Sequence, residues 1–308
     1  MKRLIIDTDP GVDDCMAILF ALCSPEVQLE ALTTVFGNGG VSQTTTNALK
    51  VLEVAGRSDI PVVPGAIKPL LHEYRGTGYV VHGRDGLGET NFPPAKGQPL
   101  NARAAEFLVS KIMGFPGEIT LAAVGPLTNL ALAVSLEPAI TQNVREVVIM
   151  GGTAATPGNV SPLAEANIHN DAAAAKIVFD AGWPLTMVGL DVTCKTVMSP
   201  AYLAQIKQAN TPITDFISAI TPFYMRSNQE RFGLDGFYVH DSSAIAYLLD
   251  PTLFKSQNVY VDVAIGGRNH GQTMADWRGL WQQPPNVNVC LDVDSERFLA
   301  LYLKRITK

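Results

Sequence analysis

The chain has 308 residues, 47% of them hydrophobic and 17% charged, which is enough to bury one large α/β domain or two ordinary ones. Its net charge is −6 and it holds no basic block, so neither nucleic acid nor an anionic membrane surface is an expected partner. Four cysteines, Cys15, Cys23, Cys194 and Cys290, are widely spaced without a CxxC pair and read as free thiols of a reducing compartment. The N-terminus lacks the basic-then-apolar layout of a signal peptide, and no run reaches the roughly 18 apolar residues that span a bilayer. The expectation is therefore a soluble, cytoplasmic protein with no membrane partner.

The first predicted strand covers residues 3–7 and the first helix residues 13–22. Strands at 27–35, 60–63, 119–124, 146–150 and 185–190 then alternate with helices at 42–55, 102–112, 128–135 and 171–181. Continuous apolar strands separated by helices predict an α/β fold: an open, mostly parallel, Rossmann-like sheet with helices on both faces. Helical patterns dominate from 199 to 250, followed by strands at 259–265 and 286–291 and a helix at 294–304. This C-terminal extension of helices and short strands has no linker before it, so residues 1–308 read as a single domain. Ligands of such sheets bind outside the carboxyl ends of the strands. The aspartates of 7–14, Gly37-Asn38, Val124-Gly125-Pro126 and the 151–170 loop all fall at those ends.

Four aspartates, Asp7, Asp9, Asp13 and Asp14, crowd into eight residues between two apolar runs. Phosphate-binding folds place glycines and a helix N-terminus here, whereas these carboxylates would repel phosphate. The Gly39-Gly40 and Gly151-Gly152 pairs are explained as well by turns. Helix capping accounts for Asp13 or Asp14 but not for all four. Packed together without lysine or arginine, they call for a cation, and an all-oxygen donor set selects a hard one such as calcium or magnesium. An EF-hand does not fit, because Val12 and Ile18 stand where glycine and glutamate are needed. Downstream, Asp241 reads as a cap or first-turn residue of the helix after it, and the adjoining His240 as a candidate acid.

The segment Asp7-Thr8-Asp9-Pro10-Gly11-Val12-Asp13-Asp14 resembles the DTDPGxDD signature of the nucleoside hydrolases, the calcium-dependent, inosine-uridine preferring nucleoside N-ribohydrolases. Thr33 to Asn38 is similar to the family's TTVxGN, Val81-His82-Gly83 to its xHG loop, and Val124 to Asn129 to its GPLTN turn. Val148 to Gly152 resembles VxMGG, Ala164 to Ile168 resembles AExNI, and Val239-His240-Asp241 resembles VHD. The likeness runs along nearly the whole chain.

Carried over residue by residue, the resemblance implies Ca2+ held by Asp9, Asp14, Asp241 and the backbone carbonyl of Val124. Asp13, Asn38, Asn159, Glu165 and Asn167 would hold the sugar hydroxyls of a ribonucleoside. The implied reaction is hydrolysis of the N-glycosidic bond to ribose and free base, with a calcium-bound water as nucleophile, Asp9 as general base and His240 as acid. Positive charge developing on the ribose ring suits a wall of carboxylates and amide oxygens. His82, Tyr224 and Phe232 are the expected base contacts, although His82 also reads as a solvated loop residue. A second tyrosine of the family, one turn after Tyr224, is replaced by Asn228, so Phe232 or Tyr238 would supply the aromatic contact. No tryptophan falls in the base-pocket segments, which favours a pyrimidine-preferring or broad enzyme (uridine, inosine) over a purine-preferring one. Family members are usually dimers or tetramers, so the resemblance implies a homo-oligomer.

Two other readings share some of these residues. Asp-x-Asp after a first strand also opens the haloacid-dehalogenase-type phosphatases, but Pro10-Gly11 follow Asp9 directly and Asp13-Asp14 add unwanted charge. A non-catalytic, calcium-dependent ribose binder would dispense with Asp9 and His240, and both are present. His72, His169, His270, Trp183, Trp277 and Trp281 read as loop, hydrogen-bonding or packing residues.

Overall fold

In the computed structural model, which describes residues 1–76 and 78–308, β1 (Lys2–Thr8) turns sharply into α1 (Val12–Leu22). Then come β2 (Val27–Thr34), α2 (Val41–Val54), β3 (Val62–Pro64), α3 (Tyr79–His82), α4 (Ala104–Gly114), β4 (Ile119–Ala123) and α5 (Thr128–Leu136). The short α6 (Ile140–Asn143) precedes β5 (Glu146–Met150), and a loop leads to α7 (Ala166–Asn170), α8 (Ala172–Asp180), β6 (Leu185–Val188) and α9 (Leu190–Thr193). Next are β7 (Val197–Met198), α10 (Pro200–Lys207), α11 (Pro212–Phe232), β8 (Phe237–Tyr238) and α12 (Asp241–Leu249). The chain ends with β9 (Phe254–Val259), β10 (Val261–Val263), β11 (Thr273–Ala275), β12 (Val287–Val293) and α13 (Ser295–Ile306).

The central sheet has eight strands in the order β3-β2-β1-β4-β5-β6-β12-β9. Every pairing is parallel except that of the edge strand β9 with β12. The C-terminal part thus contributes two strands to the main sheet, and β7-β8 and β10-β11 form separate two-stranded ribbons. Alternation along β1 sends Leu4 and Ile6 to one face and Ile5 to the other, and each face carries its own apolar core. Phe20, Phe298 and Tyr302 pack together on the first face. All three are fully buried, and truncating one to alanine would cost about 3–5 kcal/mol.

The single strand expected at 259–265 is corrected to two. Asn286 takes both backbone groups of Val261, accepting from its N–H at 2.8 Å and donating to its carbonyl at 3.0 Å, and the chain there leaves the main sheet for the β10-β11 ribbon. The strand expected at 185–190 stops at Val188, because Gly189 and Leu190 open α9. In α11, Thr211 caps the N-terminus, Pro212 sits in the first turn, and Gly233, with φ of 67°, ends the helix in a left-handed turn. No helix among the described residues is long and apolar enough to cross a membrane.

Candidate active site

The carboxyl ends of β1, β2, β4 and β5 meet the start of α12, which packs against α1. The cavity there has a volume of about 360 Å³, within the usual range for small-molecule sites. Asp13, in the first turn of α1, lines this cavity, with the turn between β1 and α1 next to it in the chain. Gly11 begins α1 without a capping side chain, and Asp14 folds back in its place. The Asp14 carboxylate accepts from the Gly11 N–H at 3.0 Å, the Asp9 N–H at 3.2 Å, the Thr8 hydroxyl at 2.5 Å and the Asn38 amide at 2.9 Å. Gly11 has to be glycine, since a Cβ would stand 2.6 Å from His82 Nδ1.

Asp9 is wholly buried: one oxygen accepts the Asn38 N–H at 2.6 Å, and Oδ1 has no partner. Gly37 makes room for it, since a Cβ there would fall 1.9 Å from Asp9 Oδ2. Asp13 takes the Tyr224 hydroxyl at 3.0 Å, and its Oδ1 is also buried without a partner. Burial first, then the charges of Asp14 and Asp13, hold the Asp9 carboxyl well above its ordinary range. Asp241 is raised likewise by burial and by the charges of Asp13, Asp14 and Asp9. This accumulation of buried carboxylates without a lysine or arginine, two of them with an orphan oxygen, fits a bound hard cation.

The three carboxylates whose oxygens close to within 4.8 Å of one another are Asp13, Asp14 and Asp241, and this acidic cluster could hold a metal ion. The expected ligand set differs from this trio in one member: Asp9 stands beside it rather than within it, and Asp13 joins it. The Val124 carbonyl opens on the same cavity, where it accepts the Asn167 amide at 2.9 Å and keeps a second lone pair. Asp7, grouped with the others by sequence, lies beneath them. It accepts from Thr33 at 2.5 Å and Asn129 at 2.8 Å, and burial pushes it up to about 7.

Asp13, Asn38, Asn159, Glu165 and Asn167 all line the cavity. Glu165 caps α7, accepting the Gly152 N–H at 2.9 Å and the Asn167 N–H at 3.0 Å; burial outweighs these bonds and raises it to about 7. Asn159 is held through Oδ1, which accepts the Ala166 N–H at 3.0 Å.

The opposite wall comes from α3 and α11. His82 is buried rather than solvated, which corrects the loop-histidine reading. Its Nδ1 accepts the Val12 N–H at 3.1 Å, its ring stacks on Tyr224 at 5.2 Å, and burial holds it down to about 4, so it is neutral. Tyr224 lines the cavity, as does Asn228, whose amide donates back to the Tyr224 carbonyl at 2.9 Å. Phe232 stands half-exposed at the mouth, backed by Tyr238 at 5.8 Å. His240 also lines the cavity, its Nδ1 is 2.8 Å from the Thr193 hydroxyl, and burial lowers its pKa against the opposing charge of Asp13.

His169 and His72 pack around His270 outside the cavity, and Trp183 is a core residue bonded to the Val178 carbonyl. Sequence reasoning missed Thr193, Asp191 and Arg231. The first two sit in Gly189-Leu190-Asp191-Val192-Thr193 directly after β6, and the position at a strand end was the available signal. Arg231, on the last turn of α11, gave no such signal.

A family model described as inosine-uridine preferring nucleoside hydrolase matches residues 4–300. A probable uridine nucleosidase 2 from Arabidopsis thaliana is 40% identical over 99% of this chain and 97% of its own length. The inosine-uridine preferring nucleoside hydrolase of Leishmania major is 38% identical over 100% of this chain and 98% of its own. Among solved structures, a plant nucleoside hydrolase superposes with a TM-score of 0.96 at 38% identity, covering 99% of both chains. A purine-preferring ribonucleoside hydrolase from Gardnerella vaginalis superposes with a TM-score of 0.95 at 32% identity, covering 99% of this chain and 98% of its own.

Proposed function

The chain belongs to the inosine-uridine preferring nucleoside hydrolase family, and from that membership we propose that it hydrolyses the N-glycosidic bond of ribonucleosides to ribose and free base, as a pyrimidine-preferring or broad enzyme acting on uridine and inosine. The observation that carries the reading is the Asp13-Asp14-Asp241 trio together with the neighbouring buried Asp9, one of whose carboxylate oxygens has no partner.

In this reading the cation is Ca2+, held by Asp9, Asp14, Asp241 and the Val124 carbonyl, with Asp13 close enough to share the task. The donor set is all oxygen, which disfavours zinc. When bound, such an ion withdraws charge from its oxygen ligands and orients neighbouring hydroxyls. Asp9 takes the proton from the attacking water, a task suited to a buried carboxylate with one free oxygen. Asn38, Asn159, Glu165, Asn167 and Asp13 hold the sugar hydroxyls, and the surrounding oxygens stabilise positive charge growing on the ribose. His240 is the acid for the departing base, with His82, Tyr224 and Phe232 covering that base.

Relatives named uridine nucleosidase and pyrimidine-specific ribonucleoside hydrolase support the uridine preference, as does the lack of tryptophan among the residues lining the cavity. We further read residues 1–308 as one domain of a cytoplasmic homo-oligomer. The deciding experiment measures ribose release from uridine, cytidine, inosine, adenosine and guanosine, with calcium, after chelation, and with Asp9→Ala. Release that needs both calcium and Asp9 is the expected result, led by uridine or inosine. No release from any nucleoside by the calcium-loaded protein overturns the reading.

A further inference from the structure

The cavity wall carries three carboxylates, Asp13, Glu165 and Asp241, and a single guanidinium, that of Arg231. Arg231 has no carboxylate partner among the described residues. Its polar contact is a long one: Nη2 donates to the Asn159 carbonyl at 3.3 Å, across the mouth between the last turn of α11 and the loop after β5. The guanidinium sits 5.2 Å from the Phe232 ring. The side chain is exposed at the mouth, and four of its five N–H donors bond to no protein atom. Tyr224 of α11 reaches Asp13 of the acidic trio, and Arg231 lies about two turns farther along the same helix; with the sugar held at the trio, as in the reading above, the base extends along that wall. Asn228, Arg231 and Phe232 line it.

An N-glycosidic bond breaks with its electron pair passing to the base. In uracil or hypoxanthine the ring delocalises that pair onto a carbonyl oxygen, whereas adenine has no carbonyl. A cation beside the oxygen stabilises the transition state more than the ground state, because the charge is fully developed only on departure. Resting on the reading above and extending it, we propose that Arg231 is a catalytic, specificity-determining residue whose guanidinium receives the carbonyl oxygen of the departing base and tunes the enzyme to keto bases. The electron pair of the C1′–N bond goes to the base and is shared onto its carbonyl oxygen, where Arg231 donates. Water adds to C1′ and yields one proton to Asp9, and the base takes up one proton as it leaves. The sum is nucleoside and water to ribose and base.

The test compares uridine and inosine with p-nitrophenyl β-D-ribofuranoside, whose phenolate leaves without assistance. Steady-state kinetics would be run on the calcium-loaded wild type, Arg231→Gln and Arg231→Lys, with thermal melts to confirm folding. Arg231→Gln should lose about 10- to 100-fold in kcat on uridine and inosine, the weight of one charge-assisted hydrogen bond. Its turnover of the nitrophenyl riboside should stay within about 2-fold of wild type, and Arg231→Lys should recover part of the uridine loss. Equal losses on all three substrates would make Arg231 a structural strap to Asn159 and overturn the proposal, as would no loss on any. A wild type that cleaves the nitrophenyl riboside but neither nucleoside overturns this proposal while leaving glycosidic hydrolysis standing. One that cleaves nothing overturns the proposed function itself.

Discussion

The Thr193 hydroxyl lies 2.8 Å from Nδ1 of His240, joining the turn after β6 to the residue that precedes α12. Thr193 is fully buried, so this contact settles where the His240 ring points. Replacing Thr193 by valine keeps the volume and removes the partner. We expect Thr193→Val to fold, to lose about 1 kcal/mol of stability, and to turn over uridine about 10-fold more slowly with KM little changed. Wild-type kcat in a folded Thr193→Val protein would refute the positioning role.

Two residues earlier, Asp191 accepts the N–H groups of Ala154 at 2.7 Å, Ala155 at 2.7 Å and Thr156 at 3.0 Å. It thereby holds the first turn of the loop that ends in Asn159 and Glu165. Asp191→Asn swaps one acceptor for a donor facing these N–H groups. Stability should fall by about 1–3 kcal/mol, and KM for uridine should rise about 10-fold, more than kcat falls. Denaturant titration and steady-state kinetics check the two halves separately, and an unchanged KM would count against the loop's part in binding.

Gly37 is set by the space Asp9 occupies. A methyl group there would sit 1.9 Å from Asp9 Oδ2, on the oxygen that accepts the Asn38 N–H. Gly37→Ala should therefore cost about 100-fold or more in kcat, whereas Gly40→Ala, with nothing within 4 Å of the added carbon, should be active. Comparable activity of the two variants would show that Asp9 tolerates displacement.

The buried carboxylates also set a pH dependence. Glu165 is raised to about 7 by burial, and Asp9 and Asp241 are also raised, by burial and by neighbouring carboxylate charge. Between the ordinary carboxylate range and those values the cation-free folded protein binds more protons than the unfolded chain, so its stability falls as pH rises. Cation binding needs the ionised carboxylates and strengthens over the same interval. The difference in Tm between calcium-loaded and chelated protein should thus be larger at about pH 8 than at about pH 6. A gap that is constant with pH would mean that Asp9 and Asp241 do not bind the ion.

Much of this site was legible in the chain because its signals are local. The aspartates of 7–14 stand on one tight turn, and the alternation of apolar strands with helices was enough to put Asn38, Val124 and Glu165 at the same sheet edge as that turn. Which carboxylates close on one point, however, was decided by the packing of α12 against α1, which brings Asp241 to Asp13 and Asp14 and leaves Asp9 beside them. Tyr224 meets Asp13 across 211 positions of chain, and His82 leaves solvent only because Gly11 lets it approach. Arg231 enters the wall because α11 runs on to Gly233 before it turns. Local pattern determines which face and which strand end a residue occupies, through backbone geometry that spans a few positions. Contacts between elements far apart in the chain depend on how whole helices pack, and no short stretch of sequence holds that information.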